Sequence, residues 1–449
     1  MTTPIADFVR KYAESSTLRF HMPGHKGVPI IGCEPFDITE IKGADVLYSA
    51  NGIIEESENN ASELFRTKHS FYSTEGSSLA IKAMLAIIKK RSKNPDTIIL
   101  AARNVHKSFI YACALLDISA KWIYPEHFSH LCECNITPTR LTTAIESLDT
   151  LPDAVYITSP DYLGNIADIK ALSVVCRKFG LPLIVDNAHG AYLAFCEPSM
   201  HPIALGADMC CDSAHKTLPV LTGGAYLHIS GSFDVDKHDV RNALSLFAST
   251  SPSYLVLQSL DLCNSYLCSS YRSELSKCLK SIAKIKLSLT NSGMIIDPGE
   301  PLKIVLKRNI CGYSGHDLAK MMRKYGIEPE FADSDTLILM ITPALNPDGI
   351  RQLEDLLLML KPRKNNNTEK LPTPDMPLSA MSVRYAVLSD SEYVPTALSE
   401  GRICATPTVS CPPAVPVVMS GEIITRNSVE LMLHYGIDSV EVVKQNFMI

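Results

Sequence analysis

The sequence predicts an α/β fold: a large domain on an open, mostly parallel sheet, then a smaller α+β domain and a C-terminal domain. Three observations carry this expectation. Between residues 71 and 216, short apolar runs alternate with helix-length segments, the pattern of strands joined by helical crossovers. Most of these runs end on a polar or glycine-containing junction. After residue 253 the alternation gives way to a long helical stretch, then to mixed strands and helices.

Composition bounds the function. The chain has 449 residues, 46% hydrophobic and 20% charged, with a net charge of -6. That suffices for a large core and two or three domains. The mildly acidic balance carries no electrostatic footprint for nucleic acid. The basic runs Lys89–Lys93 and Lys361–Lys364 are short enough for solvated faces or linkers. No stretch reaches membrane-spanning length, so no membrane partner is expected. The first residues lack a basic region followed by an apolar core, so no signal peptide is expected. The fourteen cysteines then read as reduced thiols of a cytoplasmic protein. Cys132-x-Cys134 and Cys210-Cys211 lack a second ligand pair at zinc-like spacing, so no metal is assigned. Cys263 and Cys268 are expected to fill the core side of a helix.

In chain order, residues 4–15 suit a short helix. Arg19–Gly27, with two histidines, a proline and two glycines, suits a loop of fixed shape. A helix runs through Ala61–Phe65. The stretch Phe71–Ser78 opens a helix over Leu79–Arg91. Thr97–Ala101, Ser119–Tyr124, Asp153–Thr158 and Leu181–Asp186 read as strands. Helices are expected up to Leu116 after the Arg103–Ser108 junction, over Thr137–Ser147 and over Ile169–Phe179. Tyr254–Ile285 reads as one long helix. Strands at Pro301–Leu306 and Thr336–Ile341, with helices at His316–Tyr325 and Pro347–Leu360, make the small domain. The resulting divisions are an N-terminal arm over 1–50, a large domain over 51–253 and an interdomain helix with the small domain over 254–362. A polar, Pro-rich linker over 363–377 and a C-terminal domain over 378–449 complete the chain.

Ligands of open α/β sheets bind at the carboxyl ends of the strands. Gly76–Ser78, His106, Thr158, Asp186 and Lys216 all fall at such junctions. Free backbone N–H groups and hydroxyls at Gly76, Ser77 and Ser78 suit a phosphate at a helix start. Asp186 could pair with a pyridinium nitrogen, and Ala188 is small enough to admit a flat ring. His106 could stack on the other face of that ring. Lys216, between an apolar run and a Pro- and Gly-rich turn, suits Schiff-base chemistry, with Ser213 and His215 beside it for a phosphate. Each feature alone also reads as an ordinary cap, turn acid or exposed lysine. Their order along one domain fits pyridoxal phosphate better than any other cofactor.

The sequence resembles the Orn/Lys/Arg decarboxylase family, fold-type-I, pyridoxal-phosphate-dependent enzymes acting on basic amino acids. The resemblance rests on His21-Met-Pro-Gly-His-Lys-Gly27, Gly76–Ser78, Arg103-Asn-Val-His-Lys-Ser108, Asp186-Asn-Ala-His-Gly190, Asp212-Ser-Ala-His-Lys-Thr-Leu-Pro219, Thr250–Tyr254, and Pro412-Pro-x-x-Pro416 with Gly421-Glu422. It implies the short form, without the receiver-like N-terminal domain. It implies that Lys216 carries the cofactor covalently, that Asp186 pairs with the ring nitrogen and that Ala188 and His106 flank the ring. Gly76, Ser77, Ser78, Ser213 and His215 would hold the phosphate, with His189 also at the cofactor. A homodimer with a shared active site would bring Thr250 or Ser251 to the partner's cofactor. His25 and Glu422 are the implied substrate contacts. The implied reaction releases carbon dioxide and a di- or polyamine from lysine, arginine or ornithine.

The sequence departs from the family pattern at three positions. Glu75 stands where Asn is usual, and Cys411 and Ala414 replace Tyr and Gly around the Pro-Pro pair. Two other readings stay open here. Another fold-type-I activity, an aminotransferase or aldolase, would use Asp186 and Lys216 equally well. A catalytically silent binding protein is suggested by the three departures.

Overall fold

The computed structural model describes every residue except 129, 295–298, 364–374, 408–413 and 446–449. Most of the expected 363–377 linker, and Cys411 with its Pro-Pro pair, lie outside the described residues. Seven strands form one mostly parallel sheet: β1 (His69–Ser73), β2 (Ile98–Ala102), β3 (Ser119–Ile123), β4 (Ala154–Thr158), β5 (Leu183–Asp186), β6 (Met209–Asp212) and β7 (Ala225–Ile229). Their order is β1-β7-β6-β5-β4-β2-β3. The strands β4, β5 and β6 run parallel, with Thr158 opposite Asp186 and Asp186 opposite Cys211. The strand β7 runs antiparallel to both β6 and β1. Every residue of β5, β6 and β7 is buried, which explains their near-continuous apolar runs.

Local chemistry sets the helix ends. Asp168 accepts from the Ala171 N–H at 3.0 Å and starts the helix Ile169–Phe179. Gly180, at φ +68°, ends it by donating to the Arg177 carbonyl. The expected and observed spans of this helix coincide. The strands β1 and β7 went unread, and β1 is instructive. Its polar residues are spoken for inside the fold: Ser70 Oγ meets His228 Nδ1 at 2.8 Å, and the Tyr72 hydroxyl meets Ser57 Oγ at 2.7 Å. A strand whose polar side chains are satisfied by distant partners shows no period-2 signal.

The chain divides into two compact units, 1–95 with 152–159 and 168–274, and 96–151 with 160–167 and 275–449. In the first unit, Asp261 anchors the helix Pro4–Glu14 by accepting the Ile5 and Ala6 N–H groups, each at 3.0 Å. Arg241 and Glu58 form a buried ion pair at 2.7 Å. Removing either partner would strand the other, at a cost of about 3–5 kcal/mol. The second unit holds the small α+β element: β8 (Lys303–Lys307), β9 (Phe331–Ala332) and β10 (Thr336–Met340) in the order β8-β10-β9, with helices Gly315–Lys324 and Pro347–Leu358. It also holds the pair β11 (Ser391–Pro395) and β12 (Ser439–Val443). Cys404, Val418, Ile424, Met432, Val440 and Val442 pack there into one core.

Two expectations are corrected. The long helix is two helices, Tyr254–Ser269 and Tyr271–Asn291. Ser269 and Ser270 are weak helix formers, and at the junction Ser270, at φ -101° and still in the right-handed region, caps the first helix through its N–H to the Tyr266 carbonyl while its own carbonyl accepts the Ser273 and Glu274 N–H groups of the second. Cys263 is buried as expected, but Cys268 is exposed. No helix among the described residues is long and apolar enough to cross a membrane.

Ala414 occupies the left-handed region at φ +60°. That is the conformation for which glycine, the residue usual in the resembling family, is suited. The Lys107 N–H holds its carbonyl at 3.0 Å. Ala414→Gly is expected to raise stability by about 1 kcal/mol, the relief of the left-handed strain less the added chain entropy. A urea midpoint that fails to rise in this variant would show that no strain is held there.

Candidate active site

The site residues of the first unit gather at the carboxyl ends of β4, β5 and β6. Asp186 closes β5 and is 2% exposed. Its Oδ1 accepts the Ala188 N–H at 3.1 Å and the Cys211 thiol at 3.6 Å. Its Oδ2 accepts the Tyr156 hydroxyl at 3.2 Å. Three donors from three segments thus fix the direction of this carboxylate. The buried Thr158 Oγ1, opposite Asp186 in the ladder, has no hydrogen-bond partner among the described residues. Buried polar groups are rarely left so, and ones that are suit a ligand group.

Lys216 lies just beyond β6 on the single-turn helix Ala214–Thr217. Its Nζ is 3.0 Å from His189 Nε2, three residues past Asp186. The sequence placed this lysine at a strand end or tight loop, and the turn of helix is the form that junction takes. Ser213 Oγ donates to Ser77 Oγ at 2.7 Å, joining the lysine segment to the start of the helix Gly76–Arg91. A second tie runs through the Gly223-Gly224 turn. The Gly76 N–H donates to the Gly223 carbonyl at 2.7 Å, and the His215 N–H donates to the Gly224 carbonyl at 3.2 Å. Gly223 is required there: at φ +99°, a Cβ would lie 2.7 Å from the Thr74 carbonyl oxygen. Burial lowers the pKa of His215, whose Nδ1 lies 3.1 Å from the Gly224 carbonyl.

Glu75 resolves one departure. Its Oε1 accepts the Ser249 N–H at 2.8 Å, so a partner for the acid beside Gly76 comes from the chain itself. The same bond brings the segment holding exposed Thr250 and Ser251 to Glu75 of its own chain.

The remaining expected residues have partners elsewhere. His106 belongs to the second unit, where Nδ1 accepts the Ser108 N–H at 3.2 Å and caps the helix Lys107–Leu116. Glu422, also in that unit, binds Arg103 with both oxygens at 2.7 Å and accepts the Met419 N–H at 2.8 Å. His25 accepts the Gly27 N–H on Nδ1 at 3.0 Å, which leaves Nε2 to donate to Asp37 at 3.2 Å. It sits in an ordered loop in which Arg19 reaches the Pro35 carbonyl at 2.7 Å and Lys26 the His21 carbonyl at 2.6 Å. Leu18, Phe20, Met22, Val28, Ile30 and Ile31 of that loop point outward, 62–92% exposed.

The arrangement fits pyridoxal phosphate. Two hydroxyls and the opening turn of a 16-residue helix could take the phosphate, Asp186 the ring nitrogen, and Lys216 the aldehyde carbon. The sequence patterns assigned no role to Tyr156 and Cys211, which support Asp186, or to Asn187 and Asp212, which lie within the quoted motifs and tie the strand ends together. Tyr156 and Cys211 lie inside runs that read as apolar core, and the only clue was their closeness to a strand that ends on an acid.

Asp161, in the second unit, is buried and holds Asn165 through its N–H at 2.9 Å and its Nδ2 at 2.8 Å. Burial pushes its pKa up to about 7. A folded pKa above the unfolded one means that the folded state binds the extra proton. The stability it contributes is therefore present below about pH 4 and is lost as pH rises towards about 7. Urea midpoints at pH 5 and pH 8 are expected to fall with pH in the wild type and to fall less in Asp161→Asn. Equal slopes would remove Asp161 from the account.

Residues 3–311 match the model of the Orn/Lys/Arg decarboxylase major domain, and residues 363–447 that of the C-terminal domain. An uncharacterized Bacillus subtilis protein, YaaO, is 30% identical over 96% of this chain and 93% of its own. The arginine decarboxylase of the same organism is 29% identical over 95% of this chain and 92% of its own. Among solved structures, the Francisella novicida lysine decarboxylase LdcF superposes with a TM-score of 0.80 at 17% identity, over 98% of this chain and 81% of that one. The constitutive lysine decarboxylase of E. coli superposes at 0.78 and 16% identity, over 99% of this chain and 82% of that one.

Proposed function

This chain belongs to the Orn/Lys/Arg decarboxylase family, and from that premise we propose that it removes the carboxylate of a basic amino acid with pyridoxal phosphate as cofactor. The product is a di- or polyamine with carbon dioxide. Arginine is the first substrate to test, since several relatives matched over nearly the whole chain are named arginine decarboxylase. Lysine and ornithine remain the other candidates. A homodimer in a cytoplasmic setting is the working unit of the proposal.

The observation that carries the proposal is the placement of Lys216 and Asp186 on adjoining strand ends, next to the Ser77–Ser213 pair. Pyridoxal phosphate, when bound, supplies a conjugated ring that accepts the electrons released by the departing carboxylate. Ser77, Ser78 and Ser213, with the N–H groups opening the helix Gly76–Arg91, would bind the phosphate. Asp186, aimed by Tyr156, Ala188 and Cys211, would hold a proton on the ring nitrogen. Lys216 would attach the cofactor until the substrate amine displaces it. Its Nζ could carry a proton, and His189 Nε2 at 3.0 Å could exchange that proton with it. For His106 the proposal is the ring-stacking role implied by the family. Glu422 is committed to Arg103 on both oxygens, so it would meet a substrate cation only if that pair opened.

The test is a panel of amino acids assayed for carbon dioxide release, with the amine identified by mass. Arginine, lysine or ornithine is expected to turn over, and a keto-acid product would favour an aminotransferase instead. Lys216→Ala is expected to lose both turnover and the visible absorbance of lysine-bound cofactor. Asp186→Asn is expected to keep that absorbance and to lower kcat by about a hundredfold or more, the scale of one misplaced electrostatic partner. Full activity in Asp186→Asn would sink the assignment.

A further inference from the structure

Behind Asp186 lies a second buried carboxylate that the proposed chemistry does not use. Asp212 ends β6 and is fully buried. Its Oδ1 accepts Asn187 Nδ2 at 2.7 Å and its Oδ2 accepts His201 Nε2 at 3.0 Å. His228 Nε2, on β7, lies 3.4 Å from the same Oδ2, and its Nδ1 meets Ser70 Oγ of β1 at 2.8 Å. Burial opposes the charge of Asp212, and the nearby His201 and His228 more than offset this, holding it well below the ordinary carboxylate range. The chain of contacts runs Ser70, His228, Asp212, Asn187 across four neighbouring strands or their ends.

Its position matters more than its charge. Asp186 and Cys211 are ladder partners, and their side chains touch on one face of the sheet. Asp212, one residue on, projects to the other face. It therefore meets no cofactor group directly. Yet Asn187 follows Asp186, and Ser213 follows Asp212. The Asn187 N–H donates to the Cys211 carbonyl at 3.0 Å, beyond the last ladder pair. The side-chain bond to Asp212 is a second fastening at the same point. Strand ends fray unless tied, and these two ends carry the ring-nitrogen acid and the phosphate and lysine segment. We propose that Asp212, through Asn187 and with His201 and His228 as its counterweights, is a positioning residue that fixes Asp186 against Ser213 and Lys216.

This inference rests on the pyridoxal phosphate reading, and one experiment separates the two. Wild type, Asp212→Asn and Asn187→Ala are compared for cofactor affinity, for the pH at which the lysine-bound absorbance shifts, for kcat and KM, and for melting without cofactor. Asn187→Ala leaves both histidines on Asp212 and so covers the case in which Asp212→Asn does not fold. Both variants are expected to weaken cofactor binding about tenfold or more, as loss of an outer supporting bond does elsewhere. They are expected to shift the absorbance titration and to lower kcat with little change in KM. A drop in melting temperature with unchanged affinity and titration would mean a structural role alone and overturn the inference. His201, Cys210 and Asp212 also bring ligand atoms within 4.8 Å of one another. A stoichiometric metal found in the wild type and lost in Asp212→Asn would replace the fastening with a metal site. Absence of lysine-bound absorbance in the wild type would overturn the cofactor reading, and this inference with it.

Discussion

The pairing of β5 with β6 is the constraint on which the site depends. Opposing Asp186 to Cys211 sets the acid beside the strand end that leads into Ser213 and Lys216. A slip of one residue would turn Asp186 to the opposite face and leave its carboxylate without Tyr156, Ala188 or Cys211. Register is strongly specified here because every residue of both strands is buried. The polar groups beyond the last ladder pair then become fixed points rather than loose ends. The Gly223-Gly224 turn extends the same logic to the start of the helix Gly76–Arg91, where it binds the backbones of Gly76 and His215 in one stroke.

The parallel strands and their crossover helices were legible because apolar runs of strand length alternate with capped amphipathic segments. Ile169–Phe179 shows this best: an Asp before it, a Gly after it and one apolar face between. Lys216, Asp186 and Ser77 were legible as junction residues. The support behind them was not. Tyr156 and Cys211 look like core residues, and His228 looks like an isolated histidine in an apolar strand. Their roles come from partners 30, 25 and 16 positions away in sequence, which no local pattern encodes. The break at Ser270 was hidden for the opposite reason, since serine pairs only weaken a helix and context decides whether it continues.

Glu75 and Ala414 show how a departure from a family pattern can be absorbed. The acid beside Gly76 accepts a backbone N–H, so the Ser249 amide satisfies one of its oxygens where a neutral side chain would be expected. Ala414 keeps the left-handed backbone that glycine favours, held through its carbonyl. At Glu75 the backbone supplies a partner for the residue present, at Ala414 it keeps the glycine-type conformation at the cost of strain, and in both places the difference is local. The whole-chain match to relatives near 30% identity fits such local replacement on a retained frame.

The loop around His25 has a consequence of another kind. Its apolar side chains point outward from a backbone already fixed by Arg19, Lys26 and Glu34. A mobile loop would lose freedom on being covered, and that loss would weaken any association. Here the backbone ordering has been done within the chain, so covering Phe20, Ile30 and Ile31 carries little further cost in backbone freedom.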